Sequence, residues 1–289
     1  MAATTMTRTR RSSSTAGRRA RMTGLYAVLV LILIVAVLPL LWALSSSFKP
    51  VAEIFVYPPK LWPTHGTLQN FTDLFKNVPF PRWLWTSLWV SILATALAVF
   101  FCSLGGYAFA KYHFPGQRVL FDIMFSSMMI PFAVILIPLF VEMAKIGWAD
   151  TYVALIVPWV APAFGIFMMR QFIIQAVPDQ VIEAARIDGA SEFGIFCRIV
   201  LPMVRPALGA LAVWNFLNSY NSFLWPLVVL SSEEKFTLPL GLNSLVGTYS
   251  REYGLVMAGT ILAAVPTILI FLALRKQLIE GLTVGSVKG

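Results

Sequence analysis

From Leu25 to Phe48 the chain carries no charged side chain. Four more runs share that property: Leu84–Ala110, Thr151–Met169, Pro206–Ser232 and Leu255–Leu274. A sixth, Val119–Val141, holds a single charge, Asp122, near its start. A helix needs about 20 predominantly apolar residues to cross the hydrocarbon core of a bilayer, and each run is about that long. The runs are apolar on all sides and dominated by Leu, Ile, Ala and Val. They lack the ten-residue alternation of a membrane barrel. The composition agrees, with 58% hydrophobic and only 12% charged residues, against about 25% charged in soluble domains. The expectation is an all-α polytopic membrane protein with six transmembrane helices.

The first run follows Arg8, Arg10, Arg11, Arg18, Arg19 and Arg21. A signal peptide starts similarly, but its apolar stretch is shorter and ends in a small-residue cleavage site. This run continues into Ser45-Ser46-Ser47 with no such site, so it reads as an uncleaved first helix. Residues 1–22 read as a disordered basic tail, 23–281 as the membrane domain and 282–289 as a C-terminal tail.

The net charge of +9 would suit a nucleic-acid partner, but the positive charges sort by membrane side. The N-terminal tail, the 2–3 loop, the 4–5 loop and the C-terminus hold 15 of the 22 Lys and Arg. The alternate loops hold Lys49, Lys60, Lys76, Arg82, Lys145, Lys235 and Arg251. The positive-inside bias therefore places both termini in the cytoplasm, and topology accounts for the basicity with no nucleic acid. Cys102, Cys197, His65 and His113 show no metal-ligand spacing. The aromatic-rich outside loop, Lys49 to Arg82, fits an interfacial belt or a cover over the outer mouth.

One stretch breaks the greasy pattern. "EAARIDGASEFGIFCRIVLP" (183–202) carries Glu183, Arg186, Asp188, Glu192 and Arg198 and lies in the cytoplasmic 4–5 loop. Asp179 suits a helix cap and Glu183 the positive end of a helix dipole. Gly189 ends that helix, because glycine accepts the left-handed conformation. Ser191 can cap a second short helix through Ile199. Glu183 and Arg186 share a face, Ala184 and Ala185 permit close approach, and Phe193, Phe196, Ile199 and Val200 form an apolar stripe. The insert, 178–202, is thus a helix–turn–helix. It suits a groove in another protein, and equally an amphipathic hairpin on lipid headgroups.

The spacing Glu-Ala-Ala, three residues, Gly, nine residues, Ile, one residue, Leu-Pro is met at Glu183, Ala184, Ala185, Gly189, Ile199, Leu201 and Pro202. It resembles the cytoplasmic signature of permease subunits in binding-protein-dependent ABC importers. "EAARIDGAS", "MRQF" (169–172) and "FLWPL" (223–227) resemble the carbohydrate branch. "GLTVGSVKG" (281–289) is similar to the C-terminus of the maltose-type second permease subunit. The resemblance implies that the insert is a coupling helix between spans 4 and 5. It would seat in a cleft of an ATP-binding subunit, with Glu183 paired to a basic residue there and Asp188 and Gly189 at the turn. Lys288 and Gly289 would also reach toward the ATPase dimer. The implied partners are a homologous second permease, two ATP-binding subunits and an extracytoplasmic binding protein, touched by the 5–6 outside loop. The implied location is the inner or plasma membrane of a prokaryote. No phosphate-cradling Gly-x4-Gly-Lys-Ser/Thr segment occurs in the sequence, so ATP and Mg2+ would be held by those partners and the chain is not an enzyme.

Asn215, Asn218, Ser219 and Ser222 fall at i, i+3, i+4 and i+7 on one face of the fifth span, with Tyr220, Asn221 and Trp225 nearby. Polar stripes inside a bilayer face either a cavity or another helix. As a cavity face, these residues would form the path of a carbohydrate or polyol phosphate. In the resembled family the best-characterised sugar contacts lie mainly on the partner permease, and Ser222 stands where that family commonly has an acidic residue. Asp122 and Glu142 lie near span ends rather than mid-membrane. The alternative function, an ion-coupled secondary transporter, usually keeps carboxylates in the core.

Overall fold

The computed structural model describes residues 15–248 and 253–283. Lys288, Gly289 and Arg251 lie outside the described residues, as does much of the N-terminal tail. The described chain is helical, without strands. It opens on α1 (Thr15–Ser47), two short helices α2 (Val51–Ile54) and α3 (Gln69–Lys76), and the long α4 (Phe80–Lys111). The helix α1 begins inside the stretch expected to be disordered, which corrects that expectation for 15–22. Ala16, Met22 and the arginines are good helix formers, and extending an existing helix is far easier than nucleating one.

Next come α5 (Gln117–Ser127), α6 (Phe132–Lys145), α7 (Tyr152–Ile156) and, after a 3-10 turn at Val157–Trp159, α8 (Ala163–Ala176). The insert is α9 (Asp179–Ile187), α10 (Glu192–Ile195), a π-type stretch at Phe196–Val200 and α11 (Leu201–Met203). The chain closes with α12 (Arg205–Tyr220), α13 (Leu224–Val229), α14 (Leu238–Thr248) and α15 (Tyr253–Thr283).

Among the described residues, four helical stretches are long and apolar enough to cross a membrane: Arg21–Ser47, Phe80–Lys111, Tyr152–Ala176 and Tyr253–Gln277. The count reaches six if each of two bent pairs is one span. The run expected as a straight third helix is one of these pairs. Its halves α5 and α6 meet at 104°, at a break where Pro131, which has no amide to donate, is extended with ψ 137°. The run Pro206–Ser232 is likewise not one helix. It breaks after Tyr220 and resumes as α13. The other bent pair joins the insert's second rod to α12 at 83°.

Helix α4 is the hub, packing along α8 and α12, while α12 packs along α15 and α1 lies on α15. Small residues set the closest approach. A Cβ on Gly106 would stand 2.8 Å from the backbone nitrogen of Arg170, and one on Gly165 2.5 Å from Cys102 Sγ. Most of α1 is exposed over its apolar length, as a helix apolar all round must be when lipid or another helix covers it.

Candidate coupling surface and transport cavity

Two features stand out, the insert at one end of the bundle and a cavity within it. At one end is the insert, where α4 finishes, α8 runs out and α12 begins. Pro178, not Asp179, occupies the cap position of α9, and no side chain caps it. Asp179 sits one residue inside the helix and takes Lys111 Nζ at 2.5 Å, which corrects the expected cap role. The same ammonium donates to the Val177 carbonyl at 2.6 Å, pinning the entry of the insert to the end of α4. That contact holds the Asp179 carboxyl below the usual carboxylate range.

Gly189 has φ +78°. Its amide donates to Arg186 O, and that of Ala190 to Ala185 O, both at 3.0 Å. These two bonds close the left-handed helix end expected from the sequence. Ser191 Oγ accepts from the Gly194 amide at 3.2 Å and starts the second rod. That rod does not stop at Ile199. It continues through the π-type stretch to Met203.

Arg186 does not pair with Glu183, although the two are three residues apart. Its Nε donates to Glu192 Oε1 at 2.6 Å across the turn. The Glu192 carboxylate also accepts from Tyr112 Oη at 2.5 Å and Tyr107 Oη at 3.4 Å. The Arg186 and Tyr112 bonds hold Glu192 below its ordinary range, and Glu192 raises the Arg186 guanidinium. The two rods are thus braced to each other and to α4.

The insert has two faces. Ile182, Ile195, Phe196 and Val200 are buried in one core cluster with Tyr107, Met169, Ile173 and Leu211. Phe196 and Val200 therefore leave the surface stripe expected for them. Glu183, Ala184, Asp188, Gly189 and Pro202 are exposed, while Ala185, Ile199 and Leu201 are half-buried. Beside them Ile187 is 86% and Phe193 60% exposed. Among the described residues Glu183 has no ion pair.

At mid-bundle lies a cavity of about 320 Å³ walled by α4, α6, α7, α12 and α13, within the usual size for small-molecule sites. Asn215, Asn218, Ser219, Ser222 and Trp225 line it. The structure separates Tyr220 and Asn221 from that set. Tyr220 is buried against α15, donating to Ala263 O at 3.0 Å. Asn221 is exposed and donates back to Leu217 O at 2.9 Å. None of the described residues lining the cavity is ionisable.

Trp214, Trp159, Phe132 and Thr237 also line it, and sequence reasoning missed them. Trp214 lies four residues before Asn218, so extending the i, i+4 stripe one step back finds it. Asn218 Nδ2 donates to the Trp214 carbonyl at 2.8 Å. Phe132 and Trp159 come from other spans and meet only in the fold, with ring centres 5.3 Å apart. Trp225 Nε1 donates to Ala154 O at 2.9 Å, so that tryptophan is both wall and brace.

Residues 102–278 match the family model described as the binding-protein-dependent transport system inner membrane component. The chain is 40% identical to an arabinooligosaccharide transport system permease protein of Halalkalibacterium halodurans, covering 88% of this chain and 92% of that one. It is 36% identical to a lactose transport system permease protein of Rhizobium radiobacter, covering 91% and 95%. In fold it resembles a chain of a bacterial ABC transporter that imports alginate, with a TM-score of 0.80 over 92% of this chain and 99% of that one at 21% identity.

Proposed function

The chain belongs to the inner membrane components of binding-protein-dependent transport systems, and from that membership we propose that it is a permease subunit of an ATP-driven importer of carbohydrate or polyol phosphate. A homologous second permease, two ATP-binding subunits and an extracytoplasmic binding protein complete the importer. ATP and Mg2+ belong to the ATP-binding subunits. Both termini face the cytoplasm on this reading, and Lys288 and Gly289 count among the residues that dock the ATP-binding subunits.

The observation that carries the reading is the two-sidedness of the insert. Its exposed face combines Glu183 with apolar Ile187 and Phe193, a mixed surface suited to a groove in a partner. Its back is fused into the helix core through Ile182, Ile195 and Phe196. A push on the exposed face is therefore delivered to α4, α8 and α12. The rival arrangement, a hairpin lying on headgroups, wants Lys and Arg on the polar face. Here Glu183 and Asp188 are exposed, Arg186 is engaged by Glu192, and Arg198 is the one exposed arginine of the insert without an ion pair among the described residues, so the face is not predominantly basic.

The cavity supplies the path. Amide and hydroxyl groups of Asn215, Asn218, Ser219 and Ser222 offer both donors and acceptors, and Trp214, Trp159 and Trp225 offer flat apolar faces. Both suit a carbohydrate, whose rings have apolar faces and hydroxyl edges, more than a polyol phosphate, which would find no cationic partner among the described lining residues. The lack of an ionisable group among the described lining residues disfavours coupling to protons or sodium at this site. The test is uptake by the assembled complex in proteoliposomes. Uptake should stop when ATP is removed and survive collapse of proton and sodium gradients. The opposite pattern would establish the secondary transporter.

A further inference from the structure

At the end of the bundle remote from the insert, one carboxylate ties two distant segments together. Asp150, in the link between α6 and α7, has φ +55°, a conformation rare outside glycine but tolerated by Asp and Asn. Its Oδ1 accepts from the amides of Ser231 and Ser232, both at 3.0 Å. Its Oδ2 accepts from Ser232 Oγ at 2.6 Å and Lys235 Nζ at 2.8 Å. Lys235 Nζ also donates to the Asp150 carbonyl at 2.6 Å, and the Asp150 amide donates to Val229 O at 2.7 Å. Burial alone would push this carboxyl up, but the lysine and serine bonds hold it well below the carboxylate range.

Six polar contacts thus tie two segments some eighty residues apart. Each segment leads straight into the cavity wall. Leu155 lies just past Asp150, Trp225 and Pro226 just before Val229, and Thr237 just past Lys235. The Trp225 Nε1 bond to Ala154 O joins the same two segments one layer further in. Helix α4 is stitched to the second segment as well, through Trp83 Nε1 to Glu233 O at 3.2 Å and Leu238 N to Ser87 Oγ at 2.7 Å.

We propose that Asp150 is the latch of the cavity's remote end: it holds residues 148–156 and 229–237 as one rigid cap over the transport path, and releasing it opens the cavity on that side. The proposal rests on reading the cavity as the path. Asp150 is a positioning residue and does not touch the solute. A carboxylate suits the role because one planar group accepts two backbone amides on one oxygen and a hydroxyl and an ammonium on the other. Asparagine can keep the amide pair but presents an NH2 group to Lys235, and so removes half of the latch.

The test places a reporter thiol at Ser222→Cys on the cavity wall in the assembled complex. Its labelling rate by a membrane-impermeant maleimide added from the extracytoplasmic side is read without ATP or binding protein. Asp150→Ala should raise that rate about tenfold or more, and Asp150→Asn and Lys235→Gln by intermediate factors, with partner subunits still bound. Unchanged labelling in intact complexes would overturn the latch. If Asp150→Ala fails to assemble, Lys235→Gln decides, and the parent rate in that variant would overturn it equally. Protection of the thiol by added disaccharide reads the path separately, so a failed path and a failed latch give different results.

Discussion

Replacing Gly189 isolates the turn of the insert from everything around it. A Cβ at that position meets no atom within 4 Å, so substitution adds no clash inside the chain. What it adds is backbone strain, because φ is +78°. An L-residue in the left-handed region costs roughly 1–2 kcal/mol, and Asn or Asp less. A β-branched residue is a stronger outlier. If the ATP-binding subunit grips the turn in this geometry, Gly189→Ala should weaken docking by about 5–30-fold. Gly189→Val should be worse, and Gly189→Asn should stay within about threefold of the parent. The assay is titration of purified ATP-binding subunits onto the membrane complex in nanodiscs, with membrane yield as the control. Equal affinity for Val and Gly would show that the left-handed turn at Gly189 does not set docking. If Asn were as harmful as Val, the effect would be a clash with the partner rather than backbone strain.

Gly106→Ala should wedge α4 from α8, since its Cβ would lie 2.7 Å from Met169 Cβ and 2.8 Å from a backbone nitrogen. Overpacking of this kind costs about 1–3 kcal/mol, and a thermal-shift measurement on the complex should show the loss. Acid should loosen the insert. Asp179 and Glu192 are depressed chiefly by bonds from Lys111 and Arg186, so their contribution is complete above the ordinary carboxylate range near pH 4 and disappears as pH falls through the lowered values. Hydrogen exchange over 179–203, corrected for intrinsic rates, should be unchanged from pH 7 to 5 and accelerate below about pH 4. Asn218→Leu should reduce uptake while the complex still co-purifies. Loss of assembly would instead mark Asn218 as a helix–helix contact.

The helical, membrane-spanning class was legible because all-round apolar runs leave a chain few alternatives. The turn of the insert was legible for a local reason. Ser191 and Gly189 act through their own neighbouring amides, so sequence distance and spatial distance coincide. Asp179 misled because a short acid before a helix reads as a cap, and only the fold brings Lys111 against it. Likewise, Arg186 had two acids at helical spacing or near it, and the turn geometry delivers Glu192 rather than Glu183. The polar stripe of α12 was visible as a period, but its cavity was not. Phe132, Trp159 and Thr237 arrive from three other segments, and nothing in their local sequence distinguishes them from ordinary apolar or loop residues. The break at Pro131 could have been read from the proline alone. The bend of 104° could not.

On the proposed reading, the exposed face of α9 is where the energy source attaches. The most direct measurement is co-purification of the ATP-binding subunits with the parent chain and with Glu183→Ala, followed by ATPase assay with and without the binding protein. Glu183 is exposed and makes no ion pair among the described residues, so its removal should leave the chain's own fold and membrane insertion intact. The parent should bring down ATP-binding subunits whose hydrolysis rises with binding protein, and Glu183→Ala should lose the subunits or the stimulation. A parent chain that purifies without any ATP-binding subunit, or a Glu183→Ala complex with full assembly and full stimulation, would contradict that reading.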